Sequence, residues 1–365
     1  MNFSRHVYIL ALLVSLLSCG QGTKTGVTTD GDTIPLRYSR LLTIVRHGKY
    51  TEVLIADPWK PGNTLHKYNL ATNRADAPAD GTFVPIPLGK TLIFTAAHCW
   101  LMGQLGAENS VVGVCDKQYI MTDWVKRLPD CGNAMNPNIE KIISLTPDAV
   151  ILSPFQNSGG YGKVEQLGVP IIEAADYMEE SALGRAEWML FYGMLVGRQH
   201  EAEQLFHQVE TQYKALMAQA RRTTTSPKVM VDIKQSSSWY VPGGGSTLGK
   251  MIVEAGGRYA FSNDKRSGSI PLSVETMLSE NHDADVWLIK YNSVNDLTLV
   301  SLQADNASYA KFQAFAQGNV YGCNTSYVPY YEQVPFHPDW LLHDYIRILN
   351  SHADSLRYYK KLATE

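Results

Sequence analysis

The sequence predicts an α/β fold of two Rossmann-like lobes joined by one long α-helix, with a ligand cleft between the lobes. Three observations carry this expectation. Short β-rich runs alternate with helical runs over residues 90–172 and again over 229–321, the pattern of parallel strands joined by right-handed crossovers. Between these stretches, residues 181–222 contain no proline and no β-type run. The chain has 365 residues, more than one hydrophobic core usually serves at about 150 residues per domain.

The amino terminus reads as an export signal. Arg5 and His6 precede the apolar run 7–17, which is too short for a membrane span of about 20 residues, and Ser18-Cys19-Gly20 follows. Leu16-Leu17-Ser18-Cys19 resembles the bacterial lipobox, in which the cysteine becomes the lipidated first residue. Residues 1–18 are therefore expected to be a lipoprotein signal peptide, Cys19 the lipidation site, and 19–38, rich in Gly and Thr, a tether. Processing would remove Arg5 alone among charged residues and take the net charge from -3 to -4. A chain of that charge lacks the basic surplus that phosphate-backbone contacts need, so nucleic acid is excluded as a partner.

With Cys19 set aside, Cys99, Cys115, Cys131 and Cys323 remain, an even number in an exported chain. Three pairings into two disulfides are open. Cys115 with Cys131 closes the shortest loop and is the preferred one. No pair has the two-to-four-residue spacing of a structural zinc site.

The elements follow in order. Runs 41–46 and 50–56 flank His47-Gly48-Lys49 and read as a hairpin. Strand 90–94 leads through Thr95, a good N-cap, into helix 96–105, closed by Gly106. Strand 111–114, helix 138–145 ended by Thr146-Pro147, strand 149–152, helix 164–167 and strand 170–172 complete the first lobe, 39–196. In residues 197–222, apolar side chains at Ala202, Leu205, Phe206, Val209, Tyr213, Leu216, Met217 and Ala220 recur at spacings of three and four, one amphipathic connecting helix. Strand 229–233, helices 247–255 and 274–279, strand 286–290, helix 309–316, strand 320–321 and helix 340–349 make the second lobe, 223–350, before a tail at 351–365.

Two motifs tempt and fail. Thr95-Ala96-Ala97-His98-Cys99 matches the stretch around the catalytic histidine of trypsin-like proteases, but no serine in the required context and no all-β barrel pair accompanies it. Residues 244–250, Gly-Gly-Ser-Thr-Leu-Gly-Lys, are one residue short of a phosphate-binding loop, and Met251 stands where that loop needs a Mg²⁺-ligating hydroxyl.

The run Asn136-Pro137-Asn138-Ile139-Glu140, continuing to Thr146-Pro147-Asp148, is the most specific stretch of a wider resemblance. Residues 242–257 and the stretch Leu272-Ser273-Val274-Glu275 to Ala284-Asp285-Val286, which echoes the Glu140 stretch, add to it. Together, over residues 90–349, the chain resembles the periplasmic substrate-binding proteins of ABC importers for iron-siderophore, haem and cobalamin, in lipoprotein form.

The resemblance implies the single helical connector and a protein without enzymatic activity or intrinsic cofactor. Its ligand would be an Fe(III) chelate, siderophore-bound iron or haem, delivered to a permease dimer. A cobalamin carrier and a chelatase-like enzyme on the same scaffold are the alternatives. Glu140 and Glu275 would be the permease-docking residues, pairing with arginines through charge-assisted bonds. Cleft-lining candidates on strand-end loops are Trp100, Asn136, Phe155, Tyr161, Trp239, Tyr240 and Tyr291, because a flat, partly apolar chelate needs aromatic walls. Tyr161, Tyr291 and His98 are the positions that could reach a metal, whose identity the sequence leaves open. The expected state is a monomer in the periplasm or cell envelope, joined to a bacterial membrane only by its lipid.

Overall fold

The computed structural model describes residues 31–156 and 160–365. The signal peptide, Cys19 and most of the expected tether lie outside them. The described residues form one compact unit, Gly31–Glu365.

The chain enters as a strand, β1 (Asp32–Ile34), inside the segment expected as a tether. It pairs with β2 (Leu42–His47), which forms the anticipated hairpin with β3 (Tyr50–Ala56) around a turn at Gly48. β4 (Thr64–Ala71) adds antiparallel and β5 (Thr82–Pro85) adds parallel, giving a five-stranded sheet that the sequence reading missed beyond its hairpin. Alternate residues such as Ile44, Val53, Ile55 and Tyr68 are buried, as period-two patterning requires. The sheet docks on the first lobe through Tyr68, whose hydroxyl donates to the Ile171 carbonyl and accepts the N–H of Glu173.

The first lobe is built on β6 (Thr91–Ile93), α1 (Ala96–Gln104), β7 (Val111–Val114), a small hairpin of β8 (Gly132–Asn133) and β9 (Asn136–Pro137), α2 (Ile139–Leu145), β10 (Ala149–Leu152) and β11 (Ile171–Glu173). Its sheet runs β11-β10-β6-β7, all parallel. Then come α3 (Ala182–Glu187), α4 (Met189–Leu195) and the connecting helix α5 (Gln199–Ala220), 22 residues and about 33 Å long at 1.5 Å per residue. Gly197, at φ +68, ends α4 and lets the chain turn into α5.

The second lobe repeats the plan: β12 (Lys228–Val231), β13 (Lys234–Gln235), β14 (Ser238–Pro242), α6 (Thr247–Glu254), β15 (Arg258–Tyr259), β16 (Ser269–Leu272), α7 (Val274–Asn281), β17 (Val286–Tyr291), α8 (Leu299–Asp305), α9 (Gln313–Ala316), β18 (Val320–Asn324), α10 (Tyr330–Gln333), α11 (Pro338–Leu349) and β19 (Lys360–Lys361). Its main sheet runs β15-β12-β17-β18-β19. The first four strands are parallel and stand in the same order as β7-β6-β10-β11, with α7 in the place of α2. Strand β19 joins antiparallel, so the segment expected as a tail is part of the sheet. Buried Asp344 holds that segment by accepting the N–H groups of Arg357, Tyr358 and Tyr359.

Residues 37–41 form a strap held by three buried carboxylates. Glu187 accepts the N–H groups of Arg37, Tyr38 and Ser39. Glu179 accepts the Ser39 hydroxyl and the N–H groups of Arg40 and Leu41, and Glu210 on α5 takes the Arg37 guanidinium and the Tyr38 hydroxyl. The body therefore begins upstream of the expected boundary at residue 39.

The expected disulfide is corrected. Cys99, Cys115, Cys131 and Cys323 are free, buried thiols, and burial raises the Cys115 thiol well above its ordinary range and the Cys131 thiol above its own. Cys115 and Cys131 instead pack with Leu92, Phe94, Ile142, Val150, Leu152 and Val164 in a small core under the first lobe's strand ends.

Candidate functional site

Open α/β sheets bind ligands beyond the carboxyl ends of their parallel strands. In the first lobe that edge holds a cavity of about 460 Å³. β6 delivers Phe94 and Thr95 to it, β10 delivers Leu152 and Ser153, and the β8–β9 hairpin brings Met135 and Asn136 over it. Phe155, Tyr161 and Lys163 also line it. Three predicted residues, Asn136, Phe155 and Tyr161, thus converge. Met135, 77% exposed at the hairpin tip, and Phe155 expose large apolar surface at this mouth, the kind of patch that marks a binding site.

Tyr161 is held in place. Its hydroxyl donates to Glu173 Oε1, while the other Glu173 oxygen lies 2.9 Å from His66 Nδ1. Burial, reinforced by the Glu173 carboxylate, pushes the phenol up, so the cavity meets a neutral hydroxyl on a fixed ring.

The other predicted residues lie elsewhere. Trp100 is buried on α1 with its ring edge-on to His337 and Trp340, at centroid distances of 5.4 and 5.9 Å, and borders a separate groove where α1 meets α10. Trp239 is corrected from cleft wall to core: it is 0% exposed, stacks on Trp287 at 5.8 Å and donates its indole N–H to the Val231 carbonyl. Its neighbour Tyr240, pointing the opposite way as strand alternation demands, is 45% exposed. Tyr291 ends β17 with its hydroxyl accepting the Leu297 N–H at 3.0 Å. His98 is buried with both ring nitrogens engaged, Nδ1 by the Thr95 hydroxyl and Nε2 by Asp176 at 3.1 Å. Among the described residues no three His, Cys, Asp or Glu side chains gather as a metal site.

Glu140 and Glu275 are both exposed and equivalent in position. Each is the second residue of its helix, behind the side-chain N-caps Asn138 and Ser273, in α2 and α7. An acidic residue in a first turn is stabilised by the free N–H groups there.

Contacts between the lobes were not legible in the sequence. Glu332 on α10 reaches the 121–122 loop of the first lobe, Thr247 donates its hydroxyl to the Glu179 carbonyl at 3.1 Å, and Lys250 Nζ donates to the Glu180 carbonyl at 2.7 Å. A second cavity of about 180 Å³ lies between α3 and α6, bordered by Arg185 and Lys290.

A family model described as "Periplasmic binding protein" matches residues 97–327. An uncharacterized lipoprotein of Methanocaldococcus jannaschii is 28% identical over 254 residues, 65% of this chain and 60% of that protein. The uncharacterized ABC transporter substrate-binding lipoprotein YvrC of Bacillus subtilis is 24% identical over 187 residues, 50% of this chain and 58% of its own length, so the chain spans about three fifths of these relatives. A periplasmic haem-binding protein of Pseudomonas aeruginosa has the same fold at TM-score 0.60 and 17% identity, over 76% of this chain and 99% of that structure.

Proposed function

The chain belongs to the periplasmic binding protein family, and on that premise we propose that it is the substrate-binding lipoprotein of an ABC importer. It captures a metal chelate, iron-siderophore or haem, and delivers it unchanged to a permease dimer. The observation that carries this reading is the equivalence of Glu140 and Glu275: two exposed carboxylates at the same position of repeated helices suit a two-fold symmetric partner. The apolar, aromatic cavity at the first lobe's strand ends supports a ligand with a large organic surface over a bare ion, because among the described residues no metal-holding cluster accompanies it. Cys19 anchors the protein in the cell envelope in this reading, as a monomer. The test is reconstitution with the cognate transporter. Replacing Glu140 and Glu275 together by Ala should abolish stimulation of its ATPase while ligand affinity stays within about threefold; loss of ligand binding in a folded double variant overturns the docking roles.

A further inference from the structure

The five-stranded sheet at residues 32–85 lies ahead of the stretch that matches the family, which begins at residue 97. It nonetheless reaches the first-lobe cavity through one side chain. His66, on β4, stands between two elements: its Nε2 lies 2.8 Å from the Thr82 hydroxyl on β5, and its Nδ1 lies 2.9 Å from Glu173 Oε2 at the end of β11. The imidazole stacks on the Tyr68 ring at 4.2 Å with the planes 13° apart, and the Tyr68 hydroxyl accepts the Glu173 N–H. Strand β4 therefore holds both the main chain and the side chain of Glu173. The other carboxylate oxygen, Oε1, accepts the hydroxyl of Tyr161 in the cavity wall.

The chemistry of each group sets its role. A carboxylate only accepts, so the imidazole nitrogen beside it carries the proton, and Nε2 of the neutral ring accepts from the Thr82 hydroxyl. Glu173 is 8% exposed, and a carboxylate at that depth keeps its charge only while its oxygens are hydrogen-bonded. Among the described residues, His66 is the one partner of Oε2. Without it the group takes up a proton or turns toward water, and in either case Tyr161 loses the acceptor that orients its ring. Adhesion of the sheet does not call for this arrangement, since Ile44, Val53 and Ile55 already give it a buried apolar face. Drawing a carboxylate out of water costs about as much as its partners return, so what the contact adds is direction more than stability.

We infer that His66 is a positioning residue of the first-lobe cavity: through Glu173 it fixes the Tyr161 ring, and the sheet at residues 32–85 is thereby part of the binding apparatus. The inference rests on the carrier reading only for what that ring faces, the ligand. The linkage itself is tested on ligand-free protein, so its failure and the failure of that reading are told apart.

The experiment is NMR on the purified protein with its tyrosines isotope-labelled at Cζ, without ligand, at about pH 8, above the ordinary imidazole value of about 6.5. The Tyr161 line is the one lost in Tyr161→Phe. Glu173→Gln should move that line, because the charged acceptor of the hydroxyl is gone. His66→Phe, which keeps a flat ring against Tyr68 and deletes both nitrogens, should move it in the same sense by a comparable amount. In the Glu173→Gln background, His66→Phe should move it no further, an outcome that lost packing alone does not give. His66→Asn, whose amide still donates from the place of Nδ1, should restore the wild-type line. One reading needs no variant: the wild-type His66 ring, recognised by its proximity to Tyr68, should show the Nδ1–H tautomer in a long-range proton–nitrogen spectrum, and this decides the matter where His66→Phe does not fold. A Tyr161 line unmoved by His66→Phe in folded protein, a line moved as far by it in the Glu173→Gln background, or an Nε2–H tautomer overturns the inference.

Discussion

Glu332 and Thr122 tie the lobes together. The Glu332 carboxylate, buried on α10, accepts the N–H and the hydroxyl of Thr122 and the N–H of Met121, so one side chain of the second lobe satisfies three donors of the first. With α5 continuous and Thr247 and Lys250 also crossing, the lobes are joined by far more than a hinge.

Glu332→Ala strands those donors in a buried site. Stability should fall by about 2–4 kcal/mol, measured by urea unfolding, because unmade buried hydrogen bonds cost about 1–3 kcal/mol each and the site relaxes in part. In the intact protein, ligand binding should shift the radius of gyration by less than about 1 Å in small-angle scattering. A larger compaction in the wild type contradicts a lobe pair held this firmly.

The Asp176 cluster makes a prediction about acid. Burial opposes its charge, but His98 and Arg185 draw the carboxyl down to about 2. Its folded value lies below the unfolded one, so its stabilising share is complete above about pH 4 and disappears as the pH drops toward 2. That share is on the order of 2 kcal/mol. Asp176→Asn should flatten the stability profile between pH 4 and pH 2 and cost about 3–5 kcal/mol at pH 7, where Arg185 loses its partner. An unchanged acid slope in urea titrations excludes this role.

Ligand capture should depend on the first-lobe cavity. Phe155→Ala should lower affinity for the co-purified ligand, identified by mass spectrometry, by about tenfold, in line with 1.5–3 kcal/mol for a fully buried apolar side chain. Tyr161→Phe should act less, because it removes a hydroxyl already committed to Glu173. Trp239→Phe should leave affinity unchanged and lower the melting temperature, as a core residue does. Weakened binding by Trp239→Phe alone would move the site to the second lobe.

Attachment is tested by Cys19→Ala. The variant should pass from the detergent-extracted fraction to the soluble one. Continued sedimentation with membranes rules out the lipid anchor.

Much of the architecture was written in periodicity. The strands at β6, β7, β10, β12 and β17 and the helix α5 announced themselves because each is a short apolar run or a three-four repeat bounded by Gly, Pro or a capping residue. The extra strands β4 and β5 did not, since β4, Thr-Leu-His-Lys-Tyr-Asn-Leu-Ala, mixes polar residues that are buried only by tertiary pairing: Glu52 and Lys67 meet across β3 and β4, and Asn69 donates to the Asp80 carbonyl. At the site, Phe155 and Tyr161 were found because they lie on the loop after β10, while Asn136, read as a loop residue, lies on β9 of the hairpin. Trp239 misled for a physical reason: next to Tyr240 on one strand, only one of the pair can face out, and sequence carries no sign of which. Glu332 was invisible because it matters through Met121 and Thr122 in the other lobe.

The strap at residues 37–41 decides where a load goes. Whatever grips the amino terminus pulls first on β1 and its pairing with β2, then on Arg37 and Tyr38, and through them on Glu187 of α3 and Glu210, midway along α5. A leash fixed there hauls on the first lobe and on the common axle together, and leaves the second jaw unloaded. The molecule can be tugged, swivelled or lifted from a surface without prising its lobes apart.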